Sequence, residues 1–171
     1  MSSIKIFFEK ISLSFTKNSA IAGFFFFLVL CSWYILRPVR NEMAVQNSDI
    51  LPYLLGLGAL VMLLLNPIYS WLASRQNLKS VLIGCYLFFI INLLIFIILW
   101  EFFDLSGAIW LSRIFYVWCN VYSFFVVSIF WVVIINLFRG DGATNVFGVI
   151  AAGGSIGAFL GSEISKQLAV T

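Results

Sequence analysis

Five long apolar runs, separated by short polar links, dominate the pattern of the chain. They predict membrane-spanning helices over residues 20–43, 51–73, 80–100, 109–138 and 144–164. A helix needs about 20 apolar residues to cross the roughly 30 Å hydrocarbon core of a bilayer, and each run reaches that length. The sequence therefore predicts an all-α integral membrane protein with about five transmembrane helices.

The segment before the first apolar run has a different pattern. Apolar residues recur there at helical spacing, and most of the remaining helical wheel is polar or charged. The apolar positions are Ile4, Phe7, Phe8, Ile11 and Phe15, and the charged ones are Lys5, Glu9, Lys10 and Lys17. This pattern is typical of a helix that lies in the membrane interface. We predict a cytoplasmic amphipathic segment over residues 1–18 and a transmembrane domain over residues 19–171.

Composition agrees with a membrane protein and narrows the function. The 171 residues are 63% hydrophobic and 10% charged, with a mean hydropathy of +1.07, well above that of soluble domains. The net charge of +3 is too small and too dispersed to predict nucleic-acid binding. Histidine is absent, and Cys31, Cys85 and Cys119 lie in apolar runs without metal-ligand spacing. We therefore expect no metal, no other cofactor and no enzymatic activity.

Basic residues lie in alternate links between the predicted spans. Lys or Arg occurs before the first span, between the second and third spans, and after the fourth span. Asp49, Glu101 and Asp104 lie in the remaining links. Because basic links usually stay in the cytoplasm, the pattern predicts a cytoplasmic amino terminus. Adding or removing one span would scatter the basic links over both sides, so the pattern also supports five spans.

The end of the first span contains the decapeptide YILRPVRNEM, residues 34–43, in which charge interrupts an apolar helix. An Arg at the middle of a membrane helix costs about 2.5–3.5 kcal/mol on insertion scales, so intramembrane arginines usually belong to a functional site. Arg37 and Arg40 are three residues apart and share a helix face, together with Asn41. We predict that this face binds an anion. We favour that interpretation over its alternative, in which both arginines extend to the lipid headgroups.

The fourth span carries a third arginine. Counting helical rise from the span ends puts Arg113 within about one turn of the depth of Arg37 and Arg40, so the three guanidinium groups are predicted to share one compartment. Asn120 lies on about the same side of the fourth span and is predicted to orient a ligand by hydrogen bonding. Glu42 has two interpretations: it pairs with one of these arginines when no ligand is bound, or it is a carboxylate of the outer loop.

The fifth span contains the run AAGGSIGAFLG, in which Gly153, Gly157 and Gly161 follow at intervals of four. Small residues at this spacing let two helices approach closely in lipid. We therefore predict helix packing for this glycine row. A phosphate-binding loop is poorly supported, because no GK[ST] ending follows and the glycines lie in an apolar span.

Three stretches carry a resemblance to a known family: YILRPVRNEM in the first span, FYVWCNVYSFFVVSIFW in the fourth and FGVIAAGGSIGAFLG in the fifth. Together they resemble the bacterial nucleotide exchange transporters, the ATP/ADP translocase or NTP/NDP antiporter family, over residues 20–160. The resemblance implies a major-facilitator-like fold of twelve helices in two halves. It also implies that helices one and four of each half line a central cavity that binds ATP or ADP.

The resemblance gives roles to a few residues. It implies that Arg37, Arg40 and Arg113 lie near the phosphates of the nucleotide, and the position of Arg40 is basic in family members that exchange nucleotides. Asn41 stands where an acidic residue is common, and Ser162 where many relatives have Pro. These two departures leave the identity of the substrate open.

The resemblance further implies that the five spans are the amino-terminal portion of an antiporter in the bacterial inner membrane, which works by alternating access. Its expected partners are an anionic substrate, the lipid bilayer and a carboxy-terminal half in the same or a separate chain. Two alternatives stay open. One is a major-facilitator-like transporter of another solute, and the other is a non-transporting membrane interaction protein or truncated gene product whose glycine row binds another helix.

Overall fold

A computed structural model describes residues 17–75, 78–102, 105–138 and 143–170, and its described residues form helices without a strand. Five α-helices follow one another, with a 3₁₀ turn at Ser48–Ile50 between the first two. The helices are α1 (Lys17–Gln46), α2 (Leu51–Arg75), α3 (Leu78–Phe102), α4 (Leu105–Leu137) and α5 (Ala143–Val170). All five are long and apolar enough to cross a membrane. The prediction of an all-α integral membrane protein with five spans is confirmed.

Each α-helix matches one predicted apolar run and extends beyond it or ends within one residue of it. The apolar run marks the part of a helix that crosses the hydrocarbon, whereas the backbone hydrogen bonds continue into the polar interface. Both α1 and α2 continue through an internal proline, Pro38 and Pro67. Residues 1–16, which make up most of the predicted amphipathic segment, lie outside the described residues.

The chain divides into two compact units. One comprises residues 1–36 and 130–171, and we call it the terminal unit; the other comprises residues 37–129, and we call it the central unit. The first part of α1, the last part of α4 and the whole of α5 belong to the terminal unit. The last part of α1, α2, α3 and the first part of α4 belong to the central unit.

In the terminal unit, the glycine row of α5 packs against the backbone of α1. A Cβ atom built on Gly153 would collide with the carbonyl oxygen of Gly23, and one on Gly157 would collide with that of Phe27. A Cβ on Gly161 would lie 2.6 Å from the carbonyl oxygen of Cys31, closer than real contacts allow. Only residues without a side chain permit this approach, so the prediction that the row packs helices is confirmed.

Large aromatic and aliphatic side chains fill the rest of the terminal unit. The rings of Phe26 and Phe130 stack with centroids 4.5 Å apart, and Trp131 meets Phe26 edge-on. Phe130 and Ile150 are fully buried. Such close ring pairs add to the stabilisation that comes from area burial alone, which is useful in lipid because the bilayer is itself apolar.

In the central unit, aromatic rings join α3 to α4. Trp118 of α4 stacks on Tyr122 and meets Phe89 and Phe96 of α3 edge-on. The hydroxyl of Tyr86 on α3 donates to the backbone carbonyl of Val126 on α4, at 3.1 Å. This packing holds α3 against α4, and α4 carries the polar side chains of the candidate site.

Candidate functional site

The charged decapeptide is helical throughout, and α1 continues past it to Gln46. Pro38 has no N–H, so one bond of the helical ladder is missing close to the arginine pair. Arg37 is exposed, whereas Arg40 is half-buried in the central unit. The two arginines of the decapeptide therefore have different surroundings, although they are only three residues apart.

Two asparagine side chains hold the guanidinium group of Arg40. Its Nη1 donates to Oδ1 of Asn120 on α4 at 3.1 Å, and its Nη2 donates to Oδ1 of Asn41 at 2.8 Å. An amide oxygen carries no formal charge, so these bonds orient the guanidinium group without cancelling its charge. The structure thus brings together two of the predicted site residues, Arg40 and Asn120.

The amide nitrogen of Asn120 is a second hydrogen-bond donor, next to the contact between Arg40 and Asn120. Because Oδ1 accepts from Arg40, Nδ2 points away from it, and it donates to no residue that the structure describes. Across from it lies Gly58 on α2, where a built Cβ would be 3.8 Å from Nδ2. This distance is an ordinary van der Waals contact, so Ala would fit at position 58 and α2 lies close beside this donor.

The third predicted arginine binds a different asparagine. Nε of Arg113 donates to Oδ1 of Asn47 at 2.9 Å. The amide nitrogen of Asn47 donates in turn to Oγ of Ser112 at 3.0 Å and to the backbone carbonyl of Met43 at 2.9 Å. The guanidinium group of Arg113 lies over the ring of Trp110, 4.8 Å from its centroid. Asn47 is buried and directly precedes the 3₁₀ turn.

These contacts form two reciprocal pairs across α1 and α4. Arg40 of α1 binds Asn120 of α4, and Asn47, which directly follows α1, binds Arg113 of α4. In both segments the arginine precedes the asparagine by seven residues, which on a helix is close to two turns. Since the helices run antiparallel, this equal spacing lets both pairs form at once.

The pairing corrects the predicted depth of Arg113. Its partner Asn47 directly follows the end of α1 and lies seven residues, or about 10.5 Å at helical rise, beyond Arg40. Arg113 and Arg40 therefore occupy levels about two turns apart rather than within one turn. The Arg113 pair lies at the end of the central unit that contains the 3₁₀ turn, which we call the 3₁₀ end. The Arg40 pair lies deeper, because Asn120 is within two residues of the middle of the α4 span Gly107–Leu137.

The remaining predicted residue, Glu42, is exposed and hydrogen-bonds within its own helix. Its Oε1 accepts from Nε2 of Gln46 at 3.3 Å. The described residues give Glu42 no ion pair with an arginine. The structure therefore does not bring Glu42 to the guanidinium groups, and the hypothesis that it neutralises them lacks a contact.

Asn47 is the residue of the site that sequence reasoning missed. It falls in the polar link after the first apolar run, where Asn is common in turns and draws no attention. The signal that would have found it is the repeated spacing of Arg and Asn, which occurs once at the end of α1 and once in α4.

No protein-family model, no curated protein and no solved structure matches this chain. The groups that meet at the site are guanidinium and amide groups. Such groups can bind and orient an anion.

Proposed function

We propose that this chain is part of a secondary transporter for an organic anion, with its substrate site centred on Arg40 and Asn120. The observation that carries the proposal is the level of the Arg40 guanidinium group, which binds an amide close to the middle of the α4 span. Substrate sites of secondary transporters lie near the bilayer midplane. An arginine at that depth costs free energy of membrane insertion, and the binding of an anionic ligand would explain why a charged residue is present there.

The geometry around Arg40 supports an anion with several acceptor oxygens. The fork of a guanidinium group matches phosphate and carboxylate groups, and the two asparagines hold that fork in one orientation. The nearby Nδ2 of Asn120 adds a neutral donor, and Arg37 adds a second positive charge one turn away along α1. Arg113 is two turns nearer the 3₁₀ end, so in this proposal it does not share the level of the central pair.

We infer that the substrate is a nucleotide, exchanged by alternating access, from the resemblance to the ATP/ADP translocases. In that family an acidic residue is common at the position of Asn41. An acidic side chain there would form a salt bridge with Arg40, whereas the amide oxygen of Asn41 is a neutral acceptor 2.8 Å away. The departure at this position therefore leaves more positive charge for a ligand. On the same resemblance we propose the bacterial inner membrane as the location, with the amino terminus in the cytoplasm.

The glycine row of α5, on which the alternative of a membrane interaction protein depends, is already covered by another helix of this chain. In that hypothesis the glycine row of α5 binds a helix of another protein. The row is instead occupied by α1 of the same chain, at Gly23, Phe27 and Cys31. Its spacing therefore needs no external partner.

Nucleotide binding by the whole chain in lipid nanodiscs tests the proposal. We expect labelled ATP to bind the wild-type chain and to be displaced by unlabelled ATP and ADP but not by adenosine. Arg40→Gln should weaken binding by at least about tenfold, because it removes a charge-assisted contact. Arg37→Gln should weaken it to a smaller degree, since its charge lies one turn from the central pair.

The matched control is Lys166→Gln, which removes one positive charge from an exposed side chain of α5. We expect binding within about twofold of wild type, because surface charges contribute little at physiological ionic strength. A wild-type chain that binds no ATP would overturn the nucleotide assignment. ATP binding that Arg40→Gln leaves unchanged would overturn the site.

A further inference from the structure

A second feature of the central unit is an apolar slot of about 530 Å³. This volume lies in the range of small-molecule and lipid sites. Its walls come from α2, α3 and α4, and Ile50 of the 3₁₀ turn also lines it. Among the described lining residues Arg113 is the charged one, but it lines the slot with its aliphatic stem and not with its guanidinium group; the others are aliphatic or aromatic. The slot does not include Arg40 or Asn120, so it is separate from the proposed substrate site.

The slot has the length of one leaflet of the bilayer. Its lining residues on α4 run from Trp110 to Val121, and those on α2 run from Tyr53 to Leu65. At the rise of an α-helix these stretches are about 16 Å and 18 Å long. One leaflet contributes about half of the roughly 30 Å hydrocarbon core. The slot therefore extends from one membrane interface to about the middle of the bilayer.

The interfacial end of the slot carries the groups that bind lipid headgroups. Trp110 and Tyr53 lie there with 65% and 78% of their surface exposed, as expected of an aromatic belt at the membrane surface. Beside Trp110, Arg113 is held by its Nε bond to Asn47 and by its contact with the Trp110 ring. Its terminal nitrogens donate to no residue that the structure describes. An oriented guanidinium fork at this level is suited to a phosphate group.

We propose that the slot binds one acyl chain of an anionic phospholipid, whose phosphate is bound by Arg113. An apolar cavity one leaflet deep matches a hydrocarbon chain, and its interfacial end matches an anionic headgroup in charge. A soluble anion would use the arginine but not the slot. A zwitterionic lipid such as phosphatidylcholine would use the slot and offer its phosphate, but its own ammonium group would offset the charge of that phosphate at the arginine.

Native mass spectrometry of the purified whole chain tests the assignment. Phosphatidylglycerol and phosphatidylcholine with identical acyl chains are titrated separately. The number of lipid molecules that remain bound per chain is then compared at matched lipid concentrations. We expect one phosphatidylglycerol to be retained at about tenfold lower concentration than phosphatidylcholine, since only the anionic lipid gains the full charge-assisted contact. Arg113→Gln should remove most of this preference, whereas Lys166→Gln, with the same loss of charge on exposed α5, should keep it.

A second pair of variants tests the acyl chain. Leu57 lines the slot and is 48% exposed, while Leu60 on the same helix is 54% exposed and lies outside the slot. Leu57→Trp should fill the slot and reduce retention of both lipids by about tenfold or more, because the acyl chain loses its contacts. Leu60→Trp should leave retention unchanged. Both variants keep an apolar side chain on a lipid-facing part of α2, so both are expected to fold.

Three results would overturn the proposal. The first is equal retention of the two lipids by the wild-type chain, and the second is equal retention in Leu57→Trp and Leu60→Trp. The third is displacement of phosphatidylglycerol by inorganic phosphate with no effect of Leu57→Trp, which would assign Arg113 to a soluble anion. These measurements count lipid, so they give their answer whether or not the chain binds nucleotide.

Discussion

Asn47 is the residue whose contacts are most completely satisfied at the candidate site. Its oxygen accepts from Arg113, and its nitrogen donates to Ser112 and to the carbonyl of Met43. It is 5% exposed, so water can replace these bonds only if the helices separate. A buried polar group that loses its partner costs more free energy than the bond itself contributes.

Replacing Asn47 by Leu should therefore destabilise the chain. Asn47→Leu keeps a similar volume but leaves Nε of Arg113 and the hydroxyl of Ser112 without this amide. We expect the free energy of unfolding to fall by about 1–2 kcal/mol, in the range of hydrogen bonds between membrane helices and of orphaned polar groups. The measurement is SDS unfolding in mixed micelles, followed by circular dichroism.

Asn92→Leu provides the control for this prediction. Asn92 on α3 is half-buried and donates to the carbonyl of Phe88 one turn earlier in its own helix. Its removal affects no contact between helices, so we expect a change within about 0.5 kcal/mol. Equal effects of the two substitutions would mean that the Arg113 and Asn47 contact does not stabilise the central unit.

At the residue scale, the sequence shows which side chains are candidates for the site more readily than it shows which residues they contact. Arg40 and Arg113 are visible because charge is rare and costly in an apolar helix. Their partners depend on the register of α1 against α4, which no pattern within either helix specifies. This is why the predicted depth of Arg113 was wrong by about one turn, and why Asn47, which does lie in the link after α1, was not predicted as its partner.

At the scale of elements, the glycine row shows that a sequence can predict one side of a helix contact without predicting the partner helix. The four-residue spacing of Gly153, Gly157 and Gly161 predicts a flat helix face on α5, because small residues recur on one side. It does not predict which helix covers that face. The partner is α1, whose carbonyl oxygens at Gly23 and Phe27 lie against the glycines.

Gly157→Ala tests this contact directly. The added methyl group would collide with the carbonyl oxygen of Phe27, and a backbone atom cannot rotate away as a side chain can. We expect α5 to move off α1 and the free energy of unfolding to fall by about 1–3 kcal/mol, the usual cost of overpacking. The same SDS unfolding titration measures this change in the free energy of unfolding.

Gly148→Ala is the matched control on the same helix. A Cβ built on Gly148 meets nothing within 4 Å. Because Ala is a better helix former than Gly, we expect this variant to be unchanged or more stable by up to about 1 kcal/mol. Loss of stability in Gly148→Ala as large as that in Gly157→Ala would assign the effect to the helix itself and not to its packing on α1.

At the scale of the whole molecule, the number and limits of the helices were predictable and their grouping was not. The bilayer fixes the length of each apolar run, so five runs give five helices. The division into a terminal and a central unit joins the first part of α1 to α5, which is distant in sequence. Lipid is as apolar as the side chains, so hydrophobicity alone cannot indicate which helix faces which.

Orientation in the membrane is a property of the whole chain that the charge pattern predicts. Ser48 lies in the 3₁₀ turn and Ser80 lies near the start of α3, and both side chains are exposed. One span, α2, separates them, so they should lie on opposite sides. The basic links predict that Ser80 faces the cytoplasm and Ser48 the outside.

Cysteine labelling in intact cells of a bacterial expression host tests this prediction. Single cysteines are introduced by Ser48→Cys or Ser80→Cys after Cys31, Cys85 and Cys119 are replaced by Ala. We expect a membrane-impermeant maleimide to label the position 48 variant in intact cells and the position 80 variant only after permeabilisation. The reverse pattern would put the amino terminus outside, so the Lys and Arg bias would not control insertion. Labelling of both in intact cells would mean that α2 does not cross the membrane, and the alternation of basic and acidic links would then have another origin.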